Sequence, residues 1–92
     1  MPHGEFKTIG GKLVIADFDV EDGQLRNVAI NGDFFLEPAE ALEMINEALE
    51  GTPHDASTDE IAKRIRAALP GHVSMIGFSP ESVAIAVRRG FE

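Results

Sequence analysis

Cysteine is absent from this chain, and that absence removes several chemistries together. No disulfide framework, thiolate metal site or iron–sulfur ligation can be built without it. A chain of this kind suits a reducing compartment, and the cytoplasm is the expected location. No apolar run approaches the ~20 residues of a membrane-spanning helix. Met1-Pro2-His3-Gly4-Glu5 has no basic segment leading into an apolar run, so no signal peptide is expected; Met1 hints at a free polypeptide, with part of a longer chain as the open alternative. Basic residues are scarce over most of the length. Residues 1–60 contain only Lys7, Lys12 and Arg26 against fourteen acids, a balance of −11, whereas residues 61–92 carry five Lys/Arg against two acids, a balance of +3. Such an acidic surface disfavours nucleic acid and anionic membranes, which are bound by neutralising phosphates. A basic surface on another protein is the better-matched partner. The plain alternative is that the acids keep a small domain soluble.

The 92 residues make one domain with a thin core, since folding at this size buries little more than ~60% of the surface that the unfolded chain exposes. Residues 1–5 read as a flexible tail, 6–36 as a β-meander and 37–92 as a helical part. Phe6–Ile9 is a short edge strand, bent at Gly10-Gly11. From Leu13 to Val20 the chain alternates, with Val14, Ala16, Phe18 and Val20 expected to face the core. Leu13 and Ile15 make one end of the opposite face apolar, so that end is expected to be covered as well. Glu21-Asp22-Gly23 is a hairpin turn. On the return, Leu25, Val28 and Ile30 change phase near Arg26-Asn27, which predicts a β-bulge there. Pro38 suits a first helical position, and Ala41, Leu42, Ile45, Ala48 and Leu49 form a stripe ended by Gly51. Ser57-Thr58-Asp59-Glu60 is a capping box for a second helix that carries Ile61, Ile65, Ala68 and Leu69. Pro70 to Phe78 is a connection whose Val73, Met75 and Ile76 are apolar enough to pack in part. Ser79-Pro80 opens a third helix with Arg88-Arg89 at its cation-favouring end. Strands first and helices afterwards give an α+β domain: a small antiparallel β-meander of two or three strands, then three helices packed on one face.

The strand Gly10-Gly11-Lys12-Leu13-Val14, the acidic turn ending in Gly23, the second strand, and Gly32-Asp33-Phe34-Phe35-Leu36-Glu37-Pro38 before an amphipathic helix form a recognisable series. It resembles the small C-terminal accessory domain of lipoate-protein ligases, which in some archaea and bacteria is a separate polypeptide beside the catalytic subunit. The resemblance runs from about Phe6 to the end. It implies a fold similar to iron–sulfur scaffold and sulfur-acceptor proteins, although the missing cysteine separates this chain from those relatives. It further implies a non-catalytic subunit that binds a catalytic lipoate-ligase subunit and supports formation of the lipoyl-adenylate, with an acceptor domain as an indirect partner. Lipoate, ATP and Mg would then sit at the catalytic subunit, with no cofactor bound by this chain alone.

Residue by residue, little suggests bond chemistry. His3, His54 and His72 fall in a tail and two loops without metal-ligand spacing. Asp17 and Asp19 share a strand face, where paired acids are ordinarily solvated. Ser57 and Ser79 are caps, and neither Ser74 nor Ser82 has a nucleophile's context. Two constellations remain. Gly10, Gly11 and Lys12 could form an anion-binding nest, against the simpler reading of a bent strand with a solvated lysine. In Gly32, Asp33, Phe34 and Phe35, the acid would ordinarily satisfy backbone donors in a turn. Adjacent strand residues face opposite ways, so one phenylalanine enters the core and the other is free to anchor a partner. These seven residues are the candidates for coupling to a partner or substrate. A general protein-interaction module and a small anion-binding domain remain as alternative functions.

Overall fold

Period-two alternation makes the first long strand, and the computed structural model, which describes residues 2–91, sets it at the centre of a sheet. Strands β1 (His3–Lys7), β2 (Leu13–Glu21) and β3 (Gln24–Gly32) lie in the order β1-β2-β3, each antiparallel to its neighbour. Val14, Ala16 and Phe18 are fully buried on the face covered by helices. Val20 departs from the pattern: near the hairpin tip it is 40% exposed, beyond the reach of the core. On the opposite face Leu13 and Ile15 are half-buried. Asp22 and Gly23 both take positive φ, 53° and 76°, as a tight two-residue hairpin with the right twist requires.

The expected bulge is present on β3. Asp17 pairs with Ala29 and Asp19 with Arg26, so Asn27 and Val28 together oppose Phe18. Asn27 absorbs the extra residue at φ 54°, a left-handed conformation that asparagine tolerates better than most residues. The phase change carries Leu25, Val28 and Ile30 to the same buried face.

Helices α1 (Ala41–Leu49), α2 (Thr58–Ala68) and α3 (Pro80–Arg89) close that face. Ile45 and Leu49, Ile61 and Ile65, and Val83 and Val87 join the strand residues in one hydrophobic cluster. Each such side chain, fully buried, contributes about 1.5–3 kcal/mol relative to exposure. The capping box at α2 is complete: Ser57 Oγ accepts from Glu60 N–H at 3.1 Å and Glu60 accepts from Ser57 N–H at 3.3 Å. Ser79 caps α3 by accepting from Ser82 N–H at 3.1 Å.

Being the last strand of the sheet, β3 has a free edge, and α1 covers it with side chains. Asn46 Oδ1 accepts from Ile30 N–H at 3.0 Å, and the Glu50 carboxylate accepts from Asn27 N–H at 3.0 Å and Val28 N–H at 2.6 Å. Nearer the hairpin tip the chain after α1 takes over. Leu25 N–H donates to Thr52 O at 2.9 Å, Gly51 N–H to Leu25 O at 2.8 Å and His54 N–H to Gly23 O at 2.8 Å.

Three expectations need correction. The chain is strand from His3, not a loose tail up to Glu5, because Gly4 is buried directly beneath the last turn of α3; Met1 of that tail, like Glu92 at the other end, lies outside the described residues. Pro38 does not begin α1. Phe35–Glu37 forms a short strand β4, Pro38 O accepts from Ala41 N–H at 3.0 Å in a turn, and the helix starts at Ala41. The connection after α2 contains strand β5 (Ser74–Ile76), which pairs antiparallel with β4 in a second, two-stranded sheet. The two terminal arginines stand in the last turn of α3, as expected, and make further contacts. Arg88 Nη1 donates to His54 O at 2.7 Å, while Arg89 donates to Glu5 O at 3.2 Å and lies 5.0 Å over the Phe6 ring.

A Cβ on Gly4 would collide with the Ala86 carbonyl oxygen and stand 2.6 Å from Gly90 N. Gly4→Ala must therefore push β1 away from α3, and chemical denaturation should show a loss of about 1–3 kcal/mol, typical of overpacking.

Candidate functional site

The two constellations singled out in the sequence, 22 residues apart at their starting glycines, meet at one end of the molecule. Leu13 N–H donates to Asp33 Oδ1 at 3.1 Å, and a Cβ on Gly32 would collide with the Leu13 carbonyl and stand 2.7 Å from the Phe34 ring. Gly32 is thus the residue that lets the chain leave β3 over the start of β2 with an aromatic ring folded onto it.

Gly10, Gly11 and Lys12 form the turn between β1 and β2, with Gly10 at φ 71°. Gly11 N–H donates to Thr8 O at 2.8 Å, and Lys12 N–H donates to Gly77 O at 2.7 Å. Both amides are consumed internally, so the turn does not offer the convergent donors of an anion nest. A hydroxyl chain fixes it to α3: Thr8 Oγ1 donates to Ser82 Oγ at 3.0 Å, which lies 3.0 Å from Ser79 Oγ. The Lys12 side chain is exposed and its stem lies along Gly77, whose own Cβ would stand 2.6 Å from Lys12 Cγ.

Phe34 and Phe35 separate as opposite-facing neighbours should. Phe34 is half-buried and stacks on Phe78, with centroids 3.8 Å apart and planes 15° from parallel. Phe35 is 53% exposed, and its cross-strand partner Ile76 is 61% exposed. Paired residues share a sheet face, so the two form a single apolar patch. Beside it is an open groove of ≈ 270 Å³ between Asn31 and Gly32 at the end of β3, the Phe34–Leu36 segment, and Ala39 and Leu42 at the start of α1. Ile76, Ala39 and Leu42 were not recognised as site residues from sequence. Leu42 gives the stripe signal of a core residue, and Ala39 and Ile76 are isolated apolar residues in a turn and a three-residue strand.

No Lys or Arg lines the groove, so these residues do not fit a nucleotide triphosphate, whose charge needs cations. Among the described residues no group of three or more His, Asp or Glu side chains is arranged to hold a metal ion, and no helix is long and apolar enough to cross a membrane.

Far from this end, His3 is not a tail residue but part of β1. Its Nε2 lies 2.7 Å from Glu5 Oε2 and its Nδ1 lies 2.5 Å from Asp17 Oδ1. The hydrogen bond to Glu5 and then that to Asp17 hold its pKa above the ordinary 6.5, with desolvation working the other way. Asp19, on the same face, accepts from Asn27 Nδ2 at 2.9 Å.

These features define the class: a small α+β domain whose joined β-turn and post-strand segment present an exposed aromatic end. The family follows from comparison. The model of the bacterial lipoate protein ligase C-terminus matches residues 6–72, and the chain belongs to that family. No curated protein sequence matches it. Among solved structures it is similar to a chain from the bi-partite lipoate protein ligase and its E2 lipoyl domain from Thermoplasma acidophilum. The TM-score is 0.75 at 23% identity, over 94% of this chain and 92% of that one. At this identity the likeness concerns the fold.

Two expectations follow. Phe34→Ala removes a stacked ring and should cost about 2 kcal/mol in denaturation, whereas Phe35→Ala should stay within about 0.5 kcal/mol of the parent. In an NMR titration the His3 ring should show a midpoint above 6.5, and Glu5→Gln should lower it. Since the folded pKa is the raised one, the clamp's stabilisation is complete below about pH 6.5 and is lost as pH rises through the folded pKa. A midpoint at or below the ordinary value would rule the clamp out.

Proposed function

We propose that this chain is the accessory part of a lipoate-protein ligase, binding the catalytic subunit and supporting the step in which lipoate and ATP form lipoyl-AMP. The observation that carries the reading is the family match over residues 6–72, and the shared fold with a chain of a bi-partite ligase agrees with it. In this reading lipoate, ATP and Mg are held by the catalytic subunit, in the cytoplasm, and the acceptor domain is met only indirectly. Gly10, Gly11, Lys12, Gly32, Asp33, Phe34 and Phe35 make up the coupling end, the glycines and Asp33 by shaping the backbone and Phe35 by exposure.

An accessory domain without bond chemistry of its own acts through differential binding. It must bind the substrate-closed conformation of its partner more tightly than the open one, and the ratio of the two affinities limits the activation. A thousandfold activation would need about 4 kcal/mol of such preference. A rigid contact surface favours this, because little ordering entropy is then lost on docking.

The test is ATP- and lipoate-dependent pyrophosphate release by the catalytic subunit from the same organism, with and without this chain. Release is expected only, or at least tenfold faster, when both are present. Equal release without the chain would dismiss the role in adenylation.

A further inference from the structure

We infer that the groove between the end of β3, β4 and the start of α1 is the docking surface for a cationic, apolar-anchored segment of the catalytic subunit. This rests on the accessory reading above and adds to it where the partner binds and by what chemistry.

The first argument is size. At ≈ 270 Å³ the groove falls just below the ~300–1,000 Å³ of sites that enclose drug-sized ligands, and it is open to solvent. It suits one or two protruding side chains rather than a cofactor. The floor is apolar, and the adjoining Phe35 and Ile76 extend it as an exposed patch at 53% and 61% accessibility. Exposed aromatics beside a concavity are what a partner's hot spot packs against.

The second argument is charge. Between Arg26 and Lys63 the chain has no Lys or Arg and nine Asp or Glu, and this segment supplies every groove-lining residue. Asp33, Glu37, Glu40 and Glu43 each directly adjoin a lining residue in sequence, and all four are exposed. Lys12 at this end is laid along Gly77 on the β5 side, and Lys7 lies on β1 across β2 from β3. Exposed acids next in sequence to the lining of an apolar groove favour Lys or Arg flanking an apolar anchor and disfavour an acidic segment by like-charge repulsion.

The third is local order. Phe34 is stacked on Phe78 and the turn at Gly32 is held from Leu13, so the floor is preorganised.

The test measures binding of the full chain to its catalytic subunit by biolayer interferometry at about 50 and 500 mM salt, where screening differs strongly. Circular dichroism confirms that each variant is folded. Phe35→Ala should weaken affinity about tenfold or more. Glu37→Lys, an exposed change of charge alone, should slow association roughly threefold or more and flatten the salt dependence. Glu21→Lys, at the opposite end of the β2–β3 hairpin, should leave affinity within about twofold and so control for net charge. If the parent binds and both groove variants bind equally well, or if Glu21→Lys is as damaging as Glu37→Lys, the docking surface is wrong while the accessory role stands. If the parent does not bind at all, both readings fall.

Discussion

The constraint on which the rest depends is the free edge of β3. A three-stranded sheet leaves one long strand with unpaired backbone donors, and exposed edges invite wrong pairing. Here the edge is closed by α1 through Asn46 and Glu50 and by residues 51–54 through backbone bonds. That closure sets the position of α1 along the sheet. It also places Glu50 where it meets the two amides freed by the bulge at Asn27 and Val28, so the bulge and the helix stabilise each other. Substituting Glu50 would leave the Asn27 and Val28 amides without these partners and loosen the hold of the helix end on the strand.

Coverage by α1 side chains reaches Ile30 and goes no further. Beyond it the chain runs through Gly32 onto β4, and the start of α1 stands opposite, which is why the groove opens at that place. The same end receives the turn at Gly10–Lys12, tied by Lys12 to Gly77, by Thr8 to Ser82 and by Leu13 to Asp33. Small backbone residues at Gly11, Gly32 and Gly77 let three chain segments approach at distances that a Cβ would not allow. What this end presents is therefore shape: aromatic surface on a firm base. That agrees with the accessory role proposed above.

Charge follows the same division. The acids crowd the segment from Asp33 to Glu60, which runs from the groove through α1 to the first turn of α2, while the exposed cations Lys63, Arg64 and Arg66 lie further along α2. Arg88 and Arg89 are spent within the fold on His54, Glu5 and Phe6. The net charge of −8 is thus unevenly spread over the molecule.

Sequence alone determined the β2–β3 hairpin, its bulge, the presence of three helices and the caps of α2 and α3, since period-two and 3.6-residue patterns, Asp22-Gly23, Ser57-x-x-Glu60 and Ser79-Pro80 are local signals carried by neighbouring residues. Tertiary structure alone decided the rest. The pairing of Phe35–Glu37 with Ser74–Ile76 joins two three-residue strands too short to show a period, and it kept Pro38 from starting a helix. Burial of Gly4 under α3 made strand of an apparent tail, and the clamp on His3 depends on Asp17 arriving from the next strand. The convergence of Gly10–Lys12 with Gly32–Phe35 is likewise invisible in the order of residues, because it rests on contacts between segments that only packing brings together.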